Sequence, residues 1–379
     1  MRDLTWIEIS KSKLRHNIQT IRSLIGPKVL LAACVKANAY GHGIKETAKL
    51  MIQYGVDWLA VNSIEEAEIL RQSGITKPII VMGYVQRSDL EKVAILDLRI
   101  FISDFSTAES LSQVAQKTNK QIPVHIKVDT GMSRLGVLDT KAKDLIIKIK
   151  QLKGIKAEGL VTHFATADDF DNREGFKEQF HRFQLLLQEL KKENIHIPLV
   201  HCANSSAVLL YPETYFDMVR PGLALYGYYD NEEIKKYCQQ KGVNLSPILS
   251  LKTKVALVKK IPPGRGVSYN FLFRTSKTMK VAVIPIGYYD GIDTRLTNKG
   301  FVLIRGKRAR ILGRVCMNML IVDVDNISNV HKEDEVVVIG EQGKEKITAD
   351  EIAELTGMIN YEVLTRLREN IPRYYLDQE

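Results

Sequence analysis

Lys36 is the residue of this sequence best placed to do chemistry. It emerges from the apolar run Val29-Leu30-Leu31-Ala32-Ala33-Cys34-Val35 and is followed by Ala-Asn-Ala-Tyr-Gly-His-Gly. Glycines there let the backbone approach a ligand, and Tyr40 offers a hydroxyl four residues on. A lysine after a strand is usually solvated, but one desolvated among apolar residues has a depressed pKa and an amine nucleophilic enough for a Schiff base. That chemistry favours an aldehyde-bearing cofactor. Other polar residues also follow apolar runs: His163 after Val161-Thr162, Asn204 and Ser205 after His201-Cys202, and Arg220 after Met218-Val219. Arg134 sits in the turn Gly131-Met132-Ser133-Arg134-Leu135-Gly136.

The elements that must carry these groups are legible as short apolar runs near 30–35, 57–62, 78–82, 99–103, 124–128, 157–162, 198–202 and 217–220, separated by helix-like patterns. Ser63 with Glu66 predicts a capping box, Ile64, Ala67 and Leu70 share a face, and Gly74 closes that helix. Phe176, Phe180, Phe183, Leu187 and Leu190 predict one apolar stripe along a longer helix. Eight β-then-α units match an eight-stranded parallel (β/α)8 TIM-like barrel, an α/β fold whose catalytic groups sit at the C-terminal strand ends. From about 245 the text turns to strand-like runs at 249–257, 279–286, 300–304, 320–324 and 335–339, with one helix announced by the capping box of Thr348 and Glu351. A mostly β C-terminal domain is expected over 241–379, after a barrel over 10–240 and an N-terminal strand over 1–9 that joins the C-terminal domain.

Composition bounds the function. The 379 residues are 45% hydrophobic and 26% charged, ordinary for a globular protein able to build a core without disulfides. Cys34, Cys202, Cys238 and Cys316 are far apart, with no zinc-type spacing, which fits a reducing, cytoplasmic setting. No signal-peptide or membrane-spanning run is read in the sequence. Lysine and arginine outnumber acids by 54 − 44 = 10, but they are interspersed with acids as in Lys191-Lys192-Glu193. A solvated basic surface is expected, not a nucleic-acid partner.

The peptide Val35-Lys36-Ala37-Asn38-Ala39-Tyr40-Gly41-His42-Gly43 resembles the pyridoxal 5'-phosphate (PLP) lysine motif of the alanine racemases. Seven further blocks resemble that family in order: HIKVDTGMSRLG from His125, Thr162-His163-Phe164-Ala165, Arg220-Pro221-Gly222, Gly266-Val267-Ser268-Tyr269, Ile286-Gly287-Tyr288, Gly313-Arg314-Val315-Cys316-Met317 and Asn360-Tyr361-Glu362-Val363. The resemblance spans nearly the whole chain. It implies a PLP-dependent racemase of L- and D-alanine, acting as a head-to-tail homodimer with shared active sites and supplying D-alanine for peptidoglycan.

By the same resemblance Lys36 binds PLP as a Schiff base and is the base on the D-side of Cα. Tyr269 of the second subunit is the opposite base, with His163 as its hydrogen-bonding partner. A free tyrosine near pKa 10 is a poor base at neutral pH and needs neighbours that favour phenolate. Arg220 faces the pyridine nitrogen; it keeps its proton, so that nitrogen stays unprotonated, the electron sink is weakened and transamination is disfavoured. Tyr40, Asn204, Ser205, Gly222, Leu223 and Tyr361 are the candidates for the phosphate, although Asn204-Ser205-Ser206 could equally be an N-cap. Arg134 contacts the cofactor's phenolic oxygen and the substrate carboxylate, which the Met317 N–H also meets. Tyr288 and Tyr361 narrow the entrance to a small side chain. Lys127 matches a lysine carbamylated in some members; unmodified it would repel Arg134, so modification or a nearby anion is expected.

Asn270 stands where members often have glycine, and Asn318 where many have aspartate. A racemase acting on serine or on larger basic amino acids, a non-catalytic PLP carrier of the single-barrel type and a metal-dependent barrel hydrolase using a bridging carbamate are the competing readings. The second is disfavoured by the β domain carrying Tyr269 and Met317, and the third by the lack of a His-x-His pair.

Overall fold

The computed structural model describes residues 3–377, in two compact units. One comprises Lys13–Ala39 and Ile44–Pro247; the other takes the chain up to Ser12, Tyr40–Gly43 and the chain from Ile248. Strand β1 (Trp6–Ser10) belongs to the latter. The first unit is built on β2 (Leu30–Cys34), β3 (Trp58–Val61), β4 (Ile79–Val81), β5 (Leu98–Ile102), β6 (Ile122–Asp129) with the short β7 (Val137–Leu138) beside its end, β8 (Ile155–Val161), β9 (Leu199–His201) and β10 (Met218–Val219).

Eight of these strands run parallel in the order β10-β2-β3-β4-β5-β6-β8-β9, and β10 returns to pair with β2 through Met218 and Leu30. Between β9 and β10 the ladder thins to single bonds: Asp217 N donates to Val200 O at 3.1 Å, and Arg220 N to Ala203 O at 2.9 Å. The Asp217 carboxylate closes the remaining gap by accepting from Val200 N. The barrel is therefore nearly closed, as the eight apolar runs predict. Helices cover its outside and side chains fill its inside, so the strands are buried on both faces and read as continuous apolar runs. The interior is not wholly aliphatic. Trp58, Phe101, His125 and His201 stack across it, with the two imidazoles 4.9 Å apart between centroids.

Local expectations hold in part. Ser63 caps the helix Ile64–Gln72 by accepting from Glu66 N, and Thr348 caps Ala349–Thr356 by accepting from Glu351 N. Neither glutamate closes its box. Glu66 accepts from Ala37 N and Asn62 N, two amides in place of one, and Glu351 pairs with the charged Arg308 guanidinium, a stronger donor than a cap amide. In the helix Arg173–Lys192 the buried positions are Phe176, Gln179, Phe183, Leu186 and Leu190. Phe180 and Leu187 move to the edge of the predicted stripe.

The second unit contains β11 (Leu249–Lys254), β12 (Leu257–Ile261), β13 (Gly266–Val267), β14 (Phe273–Arg274), β15 (Met279–Ile284), β16 (Phe301–Ile304), β17 (Lys307–Arg310), β18 (Leu320–Asp323), β19 (Glu335–Gln342), β20 (Glu345–Ile347) and β21 (Arg373–Leu376). One sheet runs β17-β16-β19-β11-β1-β21 with β20 on β19, a second runs β12-β15-β18, and β13 and β14 form a hairpin. The single strand expected over 249–257 is two strands in different sheets. Val255 N turns to Asp334 O and Ala256 N to Val283 O, which hands the chain from one sheet to the other. The break expected after 240 falls at Ile248, since Asn17 of the barrel unit holds Ser246 through both its amide atoms. Residues 1 and 2 of the expected N-terminal strand, and 378 and 379 at the other end, lie outside the described residues.

Candidate active site

In the barrel unit the expected residues collect at the C-terminal ends of the strands. Lys36 follows β2, Lys127 lies near the end of β6, His163 follows β8, Asn204 and Ser205 follow β9, and Arg220, Gly222 and Leu223 follow β10. The backbone just after Lys36 is left-handed: Ala37, Asn38, Ala39 and Tyr40 have φ of 52°, 53°, 53° and 53°. Non-glycine residues enter that region at about 1–2 kcal/mol each, so something must hold the turn. Asn38 Oδ1 accepts from Ile44 N, and Glu66 Oε1 accepts from Ala37 N at 2.6 Å. Lys36 itself is half-buried.

Arg220 is buried, and both of its terminal guanidinium nitrogens have partners. Nη2 donates to Thr162 O at 2.8 Å, and Nη1 lies 2.6 Å from His201 Nδ1. Ser205 Oγ accepts from Gly222 N and Ala224 N, gathering a hydroxyl and two amides at one point. Asn204 is occupied as the N-cap of Ser205–Leu210, accepting from Ala207 N. Arg134 is exposed on a loop that folds back onto β6; Gly136, at φ +135°, lets it do so, since a Cβ there would lie 2.6 Å from Asp129 N.

The electrostatics locate these groups relative to one another. Burial, then Arg220, Lys127, Arg134 and Lys36, hold His163 well below its ordinary pKa. Four basic side chains thus act on one neutral imidazole. Lys127, 6% exposed, is pushed well below the lysine range by burial first and then by Arg220 and Arg134. Asp129 opposes this, but its carboxylate already accepts from Gly131 N and Ser133 N. Cys202, also facing Lys127, stays a thiol because burial raises it to about 12. A mouth so rich in cations is suited to an anionic ligand.

In the second unit Tyr269, Tyr288 and Met317 line one open cavity of about 800 Å³, together with Asn270, Arg314 and Arg366. Tyr269 is 67% exposed. Its loop has positive φ at Ser268, Asn270 and Phe271. Asn270 adopts φ 60°, ψ 8°, and asparagine tolerates this left-handed backbone better than other side chains, so it can replace glycine there. Gly287 lets the Tyr288 turn approach the Met317 loop: a Cβ would lie 2.2 Å from Cys316 O, and Tyr288 N and Tyr289 N donate to Cys316 O and Met317 O. Tyr40 and Tyr361 lie 5.9 Å apart between ring centroids in this same unit. The residues after Tyr40 are fixed there too, with Arg373 Nε on Gly41 O and Tyr375 Oη on His42 O.

Two contributors escaped the sequence reading. Gln179 accepts from Ala165 N and donates to His163 O, so it holds the His163 loop from the apolar side of its helix. A polar residue three positions after Phe176 and four before Phe183, on the face those two share, is the signal. Glu66 was read as half of a cap, with nothing local to reveal its reach to Ala37. Among the described residues no group of three or more His, Cys, Asp and Glu side chains is placed to hold a metal ion, and no helix is long and apolar enough to cross a membrane.

The donor set fits PLP. A lysine amine follows β2, a hydroxyl meets two amides after β9 and β10, and a buried arginine lies beside them with further cations.

Comparison with known proteins gives the same reading. Residues 9–230 match the family model for the alanine racemase N-terminal domain, and 248–375 that for the C-terminal domain. The chain is 43% identical to the alanine racemase of Methanococcus maripaludis over 98% of each protein. It superposes on the alanine racemase of Clostridium difficile 630 with a TM-score of 0.94 at 33% identity, over 100% of this chain and 97% of that one. The alanine racemase of Bartonella henselae with covalently bound pyridoxal phosphate gives 0.87 at 28% identity, over 99% and 100%. The chain belongs to the alanine racemase family of isomerases.

Proposed function

We propose that this protein interconverts L- and D-alanine by a two-base mechanism at the mouth of the barrel, with Lys36 and the Tyr269 of a partner subunit as the bases. The observation that carries the reading is the convergence of Lys36, Lys127, Arg134 and Arg220 on a neutral His163. PLP, when bound, supplies the electron sink that makes the Cα proton of an amino acid removable. Lys36 Nζ is its attachment point and the base on the D-side. Ser205 Oγ, the amides of Gly222 and Leu223, Tyr40 and Tyr361 are assigned to the phosphate, with Asn204 supporting Ser205 as a cap. Arg220 offers N–H donors that it cannot surrender, so it holds a ring nitrogen without protonating it.

In the L-to-D direction the Tyr269 Oη accepts the Cα proton and Lys36 Nζ delivers one to the opposite side; the reverse direction exchanges the roles. Burial and the basic side chains nearby, Arg220 foremost, keep His163 unprotonated, so it can accept a hydrogen bond from the Tyr269 hydroxyl when tyrosine carries its proton. Arg134 and the Met317 N–H orient the substrate carboxylate, and Tyr288 limits side-chain size. The exposure of Tyr269 and Met317 around an open cavity supports a head-to-tail homodimer that places this surface over the partner's barrel mouth. A cytoplasmic enzyme supplying D-alanine for peptidoglycan is the setting that follows.

Borohydride reduction of the purified enzyme and peptide mapping test the anchor: a phosphopyridoxyl adduct belongs on Lys36, and one on another lysine overturns the scheme. Tyr269→Phe tests the second base. It should abolish exchange of the L-alanine Cα proton with deuterated solvent while PLP stays bound, and unchanged racemisation refutes the assignment. A panel of alanine, serine and lysine fixes the substrate; faster turnover of serine or lysine than of alanine rejects it.

A further inference from the structure

Barrel interiors are usually layers of branched aliphatic side chains. Here a line of polar groups runs from Arg220 into the interior. His201 Nδ1 lies 2.6 Å from Arg220 Nη1, His201 Nε2 lies 2.7 Å from His125 Nδ1, and His125 Nε2 lies 3.4 Å from Glu158 Oε2. His125 and His201 are wholly buried and Glu158 nearly so. Beyond Glu158 stand Arg99, 3.3 Å from Oε2, and Lys156, 3.4 Å from Oε1.

This line can be filled in one way. An arginine can only donate and a carboxylate only accept, and a neutral imidazole has one N–H and one lone pair. Arg220 therefore donates to His201 Nδ1, which leaves the proton of His201 on Nε2. That proton goes to His125 Nδ1, which leaves the proton of His125 on Nε2, directed at Glu158. Reversing any link would require a histidine stripped of both protons or two donors facing each other. The charged groups facing the pair, Arg99, Lys127 and Arg220 against Glu158, add to burial in keeping both rings neutral.

The chain makes room for this line at some expense to regular pairing. The register of β6 on β8 shifts at His125, from Val124 opposite Ala157 to His125 opposite Gly159, which leaves Glu158 as the extra residue of a bulge. Bulges re-aim side chains. Gly159 then clears the space: a Cβ there would lie 2.2 Å from His125 Nδ1.

We propose that His125 and Glu158 are positioning residues for the reaction, acting through His201 to hold Arg220 in one orientation at the barrel mouth. The functional half rests on the role given to Arg220 above, whereas the directed line stands without it. The experiment separates the two. In the holoenzyme labelled with 15N-histidine, His125 and His201, assigned with His125→Gln, should both be neutral Nε2–H tautomers from about pH 6 to about pH 9. An Nδ1–H tautomer or a titration in either ring overturns the directed line, whatever the enzyme's substrate. Glu158→Leu removes the terminal acceptor and Gly159→Ala displaces the ring; a misplaced catalytic group costs on the order of 100-fold. Each variant should lower kcat by up to that factor with KM for alanine unchanged, shift the absorbance of the bound cofactor and raise the share of turnovers ending in transamination. Glu158→Gln, which retains an acceptor, should restore kcat and absorbance. Should Glu158→Leu fail to fold, the wild-type tautomers and Gly159→Ala still decide. Wild-type kcat, absorbance and product partition in Gly159→Ala, or no rescue by Glu158→Gln of a defect in a folded Glu158→Leu, refutes the positioning role.

Discussion

Replacing Glu66 by alanine should loosen the turn that begins at Lys36, and the size of the effect follows from two bonds and four left-handed residues. Glu66 Oε1 lies 2.6 Å from Ala37 N and Oε2 lies 2.7 Å from Asn62 N, so one carboxylate ties the segment after β2 to the segment after β3. The tied segment is unfavourable by itself. Four consecutive left-handed residues, Ala37 to Tyr40, cost about 4–8 kcal/mol in sum, somewhat less for the asparagine, and would relax if released. Partly solvated hydrogen bonds of this kind contribute about 1 kcal/mol each, so losing both removes about 2 kcal/mol. At about 1.4 kcal/mol per factor of ten, local opening becomes about 30-fold more frequent. Amide hydrogen exchange at Ala37 and Asn62 reads this directly in the folded protein. Glu66→Gln keeps one acceptor oxygen and presents an amide nitrogen to the other N–H, so its exchange should rise about fivefold, one bond's worth. Equal exchange in all three proteins, or acceleration at Asn62 alone, would refute the idea that Glu66 restrains the lysine turn.

Other consequences can be measured. Lys127, buried and with its pKa pushed well below the lysine range, has more unprotonated amine to react with carbon dioxide: 13C-bicarbonate should give a carbamate signal that Lys127→Gln lacks, and absence of that signal in the wild type excludes the modification. His125, His163 and His201 all have folded pKa values below the unfolded value near 6.5, so the unfolded chain binds more protons as the pH drops. Stability is therefore complete above about pH 6.5 and lost below it, by at most about 1.4 kcal/mol per pH unit for each histidine; urea unfolding that is equally stable at pH 5 and pH 7 contradicts this. Glu158, held at about 2 against its burial chiefly by the His125 bond, contributes above the usual glutamate range and loses its share only as the pH falls toward 2. Gln179→Ala frees Ala165 N and His163 O, and should reduce kcat more than it raises KM, with steady-state kinetics as the check.

The eight barrel strands were legible because each is buried on both faces and therefore spelled as an unbroken apolar run. Lys36, His163, Ser205 and Arg220 were legible for a related reason, since polar residues immediately after such runs stand out. The second unit was harder to read. Strands such as Leu257–Ile261, Lys307–Arg310 and Arg373–Leu376 bury few side chains and exist through their pairing partners, which a one-dimensional pattern does not contain. Glu158 and Gly159 were hidden in the same way, because a bulge is a relation between two strands. Tyr269, exposed in a turn, carried no physical signal of its own, and only the family resemblance singled it out.

The Lys36 peptide is divided between the two units: Ala39 ends one stretch of the barrel unit, and Tyr40–Gly43 is held in the other by Leu364, Arg373 and Tyr375. The polypeptide thus passes between units at four places along its length rather than one. Modularity is lost as a result. A truncation ending at Pro247 would keep every barrel strand yet leave four residues, four positions from the reactive amine, without the scaffold that shapes them. A free-standing barrel using the same lysine would have to shape that tetrapeptide with contacts of its own.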